Sequence, residues 1–264
     1  MGKNKLRKFA EMETFSNVFQ FTCATIDTEA RQHPHPMAGH WRSEFFHNDN
    51  PVVLELGCGR GDYTIGLAQA HPECNYIGID IKGARLWAGA KYAVQNNLTN
   101  VAFLRTNIEI INLFFMPEEV DEIWITFPDP QMKKATKRLT STYFMQRYAQ
   151  LLKPNGRIHL KTDSPFLYTY TREMINLNHL PLLADTDDLY NKVSTPTMQT
   201  TETTFSAARL LQTHYEQQWI ERGMTIKYLC WQLTTNEDAP LVEPNIDIPR
   251  DTYRSYGRNY NILR

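Results

Sequence analysis

The chain has little of what would tie it to an oxidising or a lipid environment. Its four cysteines, Cys23, Cys58, Cys74 and Cys230, are scattered and form no CxxC pair, which argues against a zinc ribbon and a disulfide framework. No run of about 18 apolar residues occurs, so no membrane-spanning helix is expected. The opening MGKNKLRKFAEMETF is basic but lacks the apolar block of a secretory signal, and a reducing cytoplasm is the expected compartment. Neither sign of charge dominates: 28 Lys and Arg face 29 Asp and Glu, a formal net charge of -1. On average, then, the composition does not advertise a nucleic-acid partner. No internal repeat is visible, which excludes a solenoid.

What is present is an ordinary globular composition. The 264 residues are 42% hydrophobic and 22% charged, enough to bury a large core in one enlarged domain or a domain with extensions. From residue 51 short apolar runs alternate with helical stretches. Strands are expected at Pro51 to Leu56, Asn75 to Asp80, Asn100 to Leu104, Asp121 to Phe127, Arg157 to Asp163 and Thr225 to Leu233. Helices are expected over 62–71, 82–97, 141–152, 165–178 and 205–222, and a polar, Thr-rich loop over 185–203. This alternation predicts an α/β fold, a mostly parallel sheet with helices on both faces. Residues 1–48 form a basic N-terminal extension, 49–233 the main domain, and 234–264 a C-terminal tail. His33-Pro-His-Pro36 in the extension reads as a stiff turn, since two histidines alone rarely hold a metal.

In an open parallel sheet a ligand sits beyond the carboxyl ends of the strands. Gly57, Gly59 and Gly61 stand at that edge, where glycine permits a tight turn and a close approach to backbone. The dinucleotide fingerprint G-x-G-x-x-G is not met, because its last position is Asp62. A pyrophosphate there would meet a carboxylate. The spacing E-x-G-x-G-x-G from Glu55 to Gly61 resembles instead motif I of the class I S-adenosylmethionine-dependent methyltransferases, whose ligand carries an ammonium and a sulfonium and so favours acids nearby. Asp80 ends the second strand, where an acid accepts ribose hydroxyls, and Asn107 follows the third, where an amide meets adenine.

The segment after the fourth strand, Phe127-Pro-Asp-Pro-Gln-Met-Lys-Lys-Ala-Thr-Lys-Arg138, places Asp129 between two prolines beside the methyl donor and follows it with four positive charges. Together with Lys161-Thr-Asp163 and Thr213-His214-Tyr215-Glu216, it resembles the bacterial-type tRNA (guanine-N7)-methyltransferases, in the same order along residues 51–233. The resemblance implies a Rossmann-like class I methyltransferase fold with a seven-stranded sheet, S-adenosylmethionine as cofactor and tRNA as substrate, methylated at guanine 46 of the variable loop. It carries cofactor contacts onto Glu55, Asp80, Asn107 and Asp129, and substrate contacts onto Lys133, Asp163, Thr213, His214, Tyr215 and Glu216. Gln131 stands where the family usually has Trp, and the basic run is shorter than the family's. Monomer and homodimer both fit.

The chemistry agrees with these residue types. Guanine N7 holds a lone pair at neutral pH, so attack on a sulfonium methyl needs no general base, and the product is a cation. Carboxylates suit it: Asp129 first, then Asp163 and Glu216 as acceptors on the guanine edge. Each has a plain structural reading as well. Asp129 suits an Asx turn, Asp163 a cap of the next helix, and Thr213 with Glu216 a capping box. The basic islands Lys133 to Arg138 and Lys3 to Lys8 are expected to meet phosphates. Two rival functions remain at this point: a methyltransferase acting on a small molecule or protein, and a catalytically silent RNA-binding subunit.

Overall fold

A computed structural model describes residues 3–21, 34–191, 202–234 and 240–253. Eight strands form one sheet in the order β1-β4-β3-β2-β5-β6-β8-β7. They are β1 (Val18–Gln20), β2 (Val52–Leu56), β3 (Asn75–Ile79), β4 (Val101–Arg105), β5 (Val120–Thr126), β6 (Leu152–Thr162), β7 (Leu182–Thr186) and β8 (Lys227–Gln232). All run parallel except β8, which is antiparallel to both β6 and β7. Every residue of β2 and β3 is buried, as expected of parallel strands covered on both faces. Two apolar layers follow. One lies around Trp41, Leu54, Ile77, Phe144 and Tyr148, the other around Tyr63, Leu86, Phe103, Trp124 and Tyr228.

The sheet has eight strands rather than the expected seven, because the N-terminal segment adds one. β1 pairs with β4 through Val18 and Phe103, Phe19 and Leu104, and Gln20 and Arg105, and Phe19 packs edge-on against Trp41 at 4.8 Å. The basic opening is a helix, α1 (Lys3–Met12), held on the main domain by Lys8 over the Trp87 ring at 4.4 Å and by the Trp87 indole donating to Glu11 at 2.8 Å. The stiff turn around His35 packs its imidazole on Phe21 at 4.0 Å; His33 lies outside the described residues.

The remaining helices are α2 (Asp62–Ala70), α3 (Gly83–Gln95), α4 (Thr142–Tyr148), α5 (Pro165–Leu177), α6 (Glu202–Leu210) and α7 (His214–Ile220). The expected helix over 205–222 is two helices broken at 211–213, because Thr213 caps a new start. The expected loop from residue 185 begins inside β7, whose neighbour β8 recruits Ala184, Asp185 and Thr186; its Thr-rich part, 192–201, lies outside the described residues. Of the tail, residues 240–253 pack onto the domain. Glu243 accepts the Thr142 amide at 3.1 Å at the start of α4, and Asn178 donates to the Val242 carbonyl at 2.9 Å. Arg254, Arg258 and Arg264 lie outside the described residues.

Candidate active site

The loop from β2 into α2 turns through three left-handed glycines, Gly57, Gly59 and Gly61, with φ of 77°, 58° and 76°. At Gly61 an added Cβ would sit 2.6 Å from the Phe103 ring, and one at Gly89 on α3 would sit 2.8 Å from the same ring and 3.2 Å from the Gly61 Cα. Glycine here serves both conformation and close packing. The Gly57 and Cys58 amides donate to the Ile79 carbonyl at 2.8 and 3.0 Å, tying the loop to β3. Asp80 accepts the Gly59 amide at 2.9 Å on one oxygen and the Lys82 amide at 2.7 Å on the other. Its carboxylate is thereby fixed at the strand end, half-buried. Asn107, at the end of β4, lines the same open cleft of about 730 Å³, together with Gly57, Asp80, Gln131 and Lys133.

Glu55 is turned inward. It accepts from the Thr64 amide at 2.8 Å and from the Thr64 and Thr126 hydroxyls, the latter at 2.5 Å. Burial pushes its carboxyl up to about 7, against the pull of these donors. It joins β2, β5 and the first turn of α2 beneath the glycine loop.

On the other side of the cleft, Phe127 and Gln131 bracket Pro128 to Pro130 in the left-handed region, at φ of 48° and 47°. Such strain in non-glycine residues persists only where surroundings enforce it. Asp129 is exposed, and one oxygen accepts the Gln131 amide at 3.0 Å. The Asx turn and an outward carboxylate therefore coexist. Within the basic run the side chains divide. Arg138 is folded inward over Tyr170 at 4.3 Å and donates to the Gln131 and Met132 carbonyls, both at 3.2 Å. Lys137 pairs with Glu109 at 2.9 Å. Lys133 and Lys134 are exposed on the cleft rim.

Asp163 follows β6 and is fully buried; it does not cap α5, since Ser164 accepts the Leu167 amide at 3.0 Å in that role. Its Oδ2 accepts the Tyr253 hydroxyl at 2.6 Å. Thr213 caps α7 by accepting the Glu216 amide at 3.2 Å. His214 and Tyr215 are exposed on that helix, and Tyr215 sets its ring edge-on to Phe127 at 5.5 Å. Glu216 is fully buried: Oε1 pairs with Lys161 at 2.9 Å and accepts from Tyr190 at 2.5 Å, while Oε2 has no hydrogen-bond partner among the described residues. The buried Lys161 ammonium also donates to the Ala208 and Leu211 carbonyls, each at 2.8 Å. Burial pulls its ammonium down, and Glu216 opposes that.

The sheet edge thus gathers the glycine loop, Asp80, Asn107, Asp129, Lys133 and the α7 start, while Glu55, Asp163 and Glu216 lie beneath the surface. Sequence reasoning missed Lys161, Tyr190 and Tyr253. Lys161 stood in plain sight in the run Lys161 to Asp163; the two tyrosines carried no local signal. A second cleft, of about 440 Å³, opens at the opposite ends of the strands and holds none of these residues.

Residues 49–229 match a family model described as a putative methyltransferase. A tRNA (guanine-N(7)-)-methyltransferase of Bacteroides thetaiotaomicron is 52% identical over 98% of this chain and 96% of its own length. One of Porphyromonas gingivalis is 54% identical over 94% of this chain and 97% of its own. The chain belongs to the tRNA (guanine-N(7)-)-methyltransferase family. The solved structure of the 16S rRNA methyltransferase KamB shares the fold, with a TM-score of 0.55 at 13% identity over 76% of this chain and 96% of that one. The methyl donor of the family, S-adenosylmethionine, has no phosphate and bears an ammonium and a sulfonium, charges that suit a cleft with Asp80 in its lining and Asp62 after its glycine loop. Among the described residues, no helix is long and apolar enough to cross a membrane.

Proposed function

We propose that this cytoplasmic methyltransferase modifies N7 of guanine 46 in the variable loop of tRNA. The observation that carries the reading is one open cleft lined by Gly57, Asp80, Asn107, Gln131, Lys133 and Lys134, with the exposed Asp129 bonded to the Gln131 amide next to it. When bound, S-adenosylmethionine supplies an electrophilic methyl group on sulfur. Gly57, Gly59 and Gly61 let it approach the backbone, Asp80 receives the ribose hydroxyls, and Asn107 meets the adenine. Glu55 contributes by fixing the loop from below.

Guanine N7 attacks without losing a proton, so no general base is assigned. Asp129 lies where the purine becomes cationic, and a preoriented carboxylate there stabilises the charge as it forms. Its position depends on the strained turn between Phe127 and Gln131. Asp163 is the second acid serving the guanine edge. Glu216, enclosed by Lys161 and Tyr190, sets the position of α7, from which Tyr215 projects. Lys133 and Lys134 take phosphates on either side of a base turned out of its stack. Alignment of N7, methyl and sulfur accounts for most of the remaining rate.

Incubating the purified protein with labelled S-adenosylmethionine and unmodified tRNA, then mapping the labelled nucleotide, tests this directly. 7-Methylguanosine at position 46 is expected. Label at another position, on another atom, or only in protein or small molecules overturns it.

A further inference from the structure

The basic loop on the cleft rim is held from behind by the tail, which lies beyond residue 229, where the family model ends. Arg138 closes this loop. Its buried guanidinium donates to the Gln131 and Met132 carbonyls, both at 3.2 Å, and lies over two rings of α5, Tyr170 at 4.3 Å and Phe166 at 4.9 Å. Both ring residues are tied in turn to a carboxylate of the tail. Glu243 accepts the Tyr170 hydroxyl on one oxygen, and on the other the Thr142 hydroxyl at 2.6 Å and amide at 3.1 Å, shortly after the loop. Asp251 accepts the Phe166 amide at 3.1 Å and the Ser164 hydroxyl at 2.5 Å, while its own amide donates to the Met132 sulfur at 3.2 Å. Between the two acids, Ile248 packs against the apolar layer around Trp41.

We infer that the tail is a strap that sets the geometry of the substrate loop, with Glu243 and Asp251 as positioning residues for methyl transfer and Arg138 as the link through which they act. Gln131, whose carbonyl Arg138 holds, lines the cleft, and its amide donates to Asp129 at 3.0 Å. Lys133 and Lys134 follow Met132 and line the same cleft. Gln131 stands in the left-handed region at φ 47°, a conformation that persists only where the surroundings enforce it, and Arg138 and the tail are those surroundings. A carboxylate that stabilises charge in a transition state must be fixed before the charge forms, since reorientation during the reaction would cancel the gain. A phenol that donates to a carboxylate has a more electron-rich ring, so a cation on its face is held more tightly. Glu243 therefore acts on Arg138 through the Tyr170 ring, and Asp251 fixes the start of α5, from which both rings project. The inference rests on the proposed roles of Asp129, Lys133 and Lys134.

The test compares Glu243→Gln, Asp251→Ala, Arg138→Met and the pair Glu243→Gln with Arg138→Met in the full-length protein, with Asp129→Ala as the reference for the loop itself. Rates are taken per cofactor-binding site, counted by calorimetric titration with S-adenosylmethionine, so a variant that only folds less well loses sites and keeps its rate per site. Glu243→Gln and Asp251→Ala are each expected to lower kcat/KM for tRNA about 10-fold per site, the scale of a small misplacement of reacting groups. Both parameters should move, kcat downward and KM upward, because the loop carries the acid as well as the phosphate-binding lysines. The dissociation constant for S-adenosylmethionine should stay unchanged. Adding Glu243→Gln to Arg138→Met should cost little more than Arg138→Met alone, because one path carries both effects. Wild-type rates per site in the two tail variants, or losses confined to the number of sites, overturn the inference alone. Additive losses in the pair overturn it too. Ordinary turnover by Asp129→Ala overturns both the inference and the role assigned to the loop.

Discussion

The two walls of the cleft hold their acids in different ways. On the β2–β3 wall, Asp80 is fixed by backbone amides, that of Lys82 two residues on and that of Gly59 in the glycine loop, 21 residues back. Glu55 leans mostly on Thr64, nine residues away. On the β5–β6 wall, Asp163 is bonded to Tyr253, 90 residues away, and Glu216, on α7, is paired with Lys161 of β6. The first wall is a local device that a short motif can encode. The second is assembled from distant side chains, so its geometry depends on the whole fold being in place.

Breaking the second wall at its buried pair should give the largest effect on stability. Lys161→Met strands the Glu216 carboxylate without its counter-ion, and removal of one partner from a buried pair costs about 3–5 kcal/mol. At about 2–4 °C per kcal/mol for a chain of this size, the thermal midpoint should fall by more than about 6 °C. Replacing both, Lys161→Met with Glu216→Leu, should recover most of that loss. If the single variant melts with the wild type, the pair is no keystone.

Asp129 sharpens the contrast, because it is exposed and contributes little to the fold. Asp129→Ala should cut methyl transfer by about 10²–10³-fold, the scale of losing one preorganised electrostatic group, while unfolding stays within about 0.5 kcal/mol of wild type. Single-turnover rates with saturating tRNA check it; ordinary turnover would remove Asp129 from the chemistry.

Glu55 tests the first wall. Its folded-state carboxyl sits at about 7, above the 4.5 of an ordinary solvated glutamate, so folding favours the protonated form. That contribution is full below about pH 4.5 and is lost as pH rises through about 7, a difference of up to about 3 kcal/mol. Glu55→Gln, which cannot ionise, should flatten this fall in urea unfolding measured at several pH values. A variant retaining the full slope would place its origin elsewhere.

What could be read from the sequence follows the same division. Parallel strands buried on both faces appear as apolar runs, so Val52 to Leu56 and Val101 to Leu104 were visible, as were the glycines and the prolines around Asp129. β1 and β7 were not, because edge strands bury too little to leave a pattern: Val18 to Gln20 is only half-buried and Leu182 is exposed. Asp129, Asp163 and Glu216 were legible as a set of acids reaching one edge. The burial of Asp163 and Glu216 was not, since they meet Tyr253, Tyr190 and Lys161 arriving from other parts of the chain. The basic run was legible as charge, yet its division into inward Arg138 and outward Lys133 and Lys134 is decided by the rings of Phe166 and Tyr170.

The short β1 also bears on how the chain keeps to itself. β4 carries Val101, Ala102, Phe103 and Leu104, all fully buried, and without a neighbour it would present an apolar strand with unpaired amides and carbonyls. Such an edge recruits strands from other molecules. The N-terminal segment covers it with three residues and ends the ladder at Gln20 and Arg105, whose side chains bond to each other at 3.1 Å. A version trimmed to begin at residue 49 would keep every group assigned to the cleft and expose this edge, and the consequence to expect is self-association rather than a smaller working enzyme.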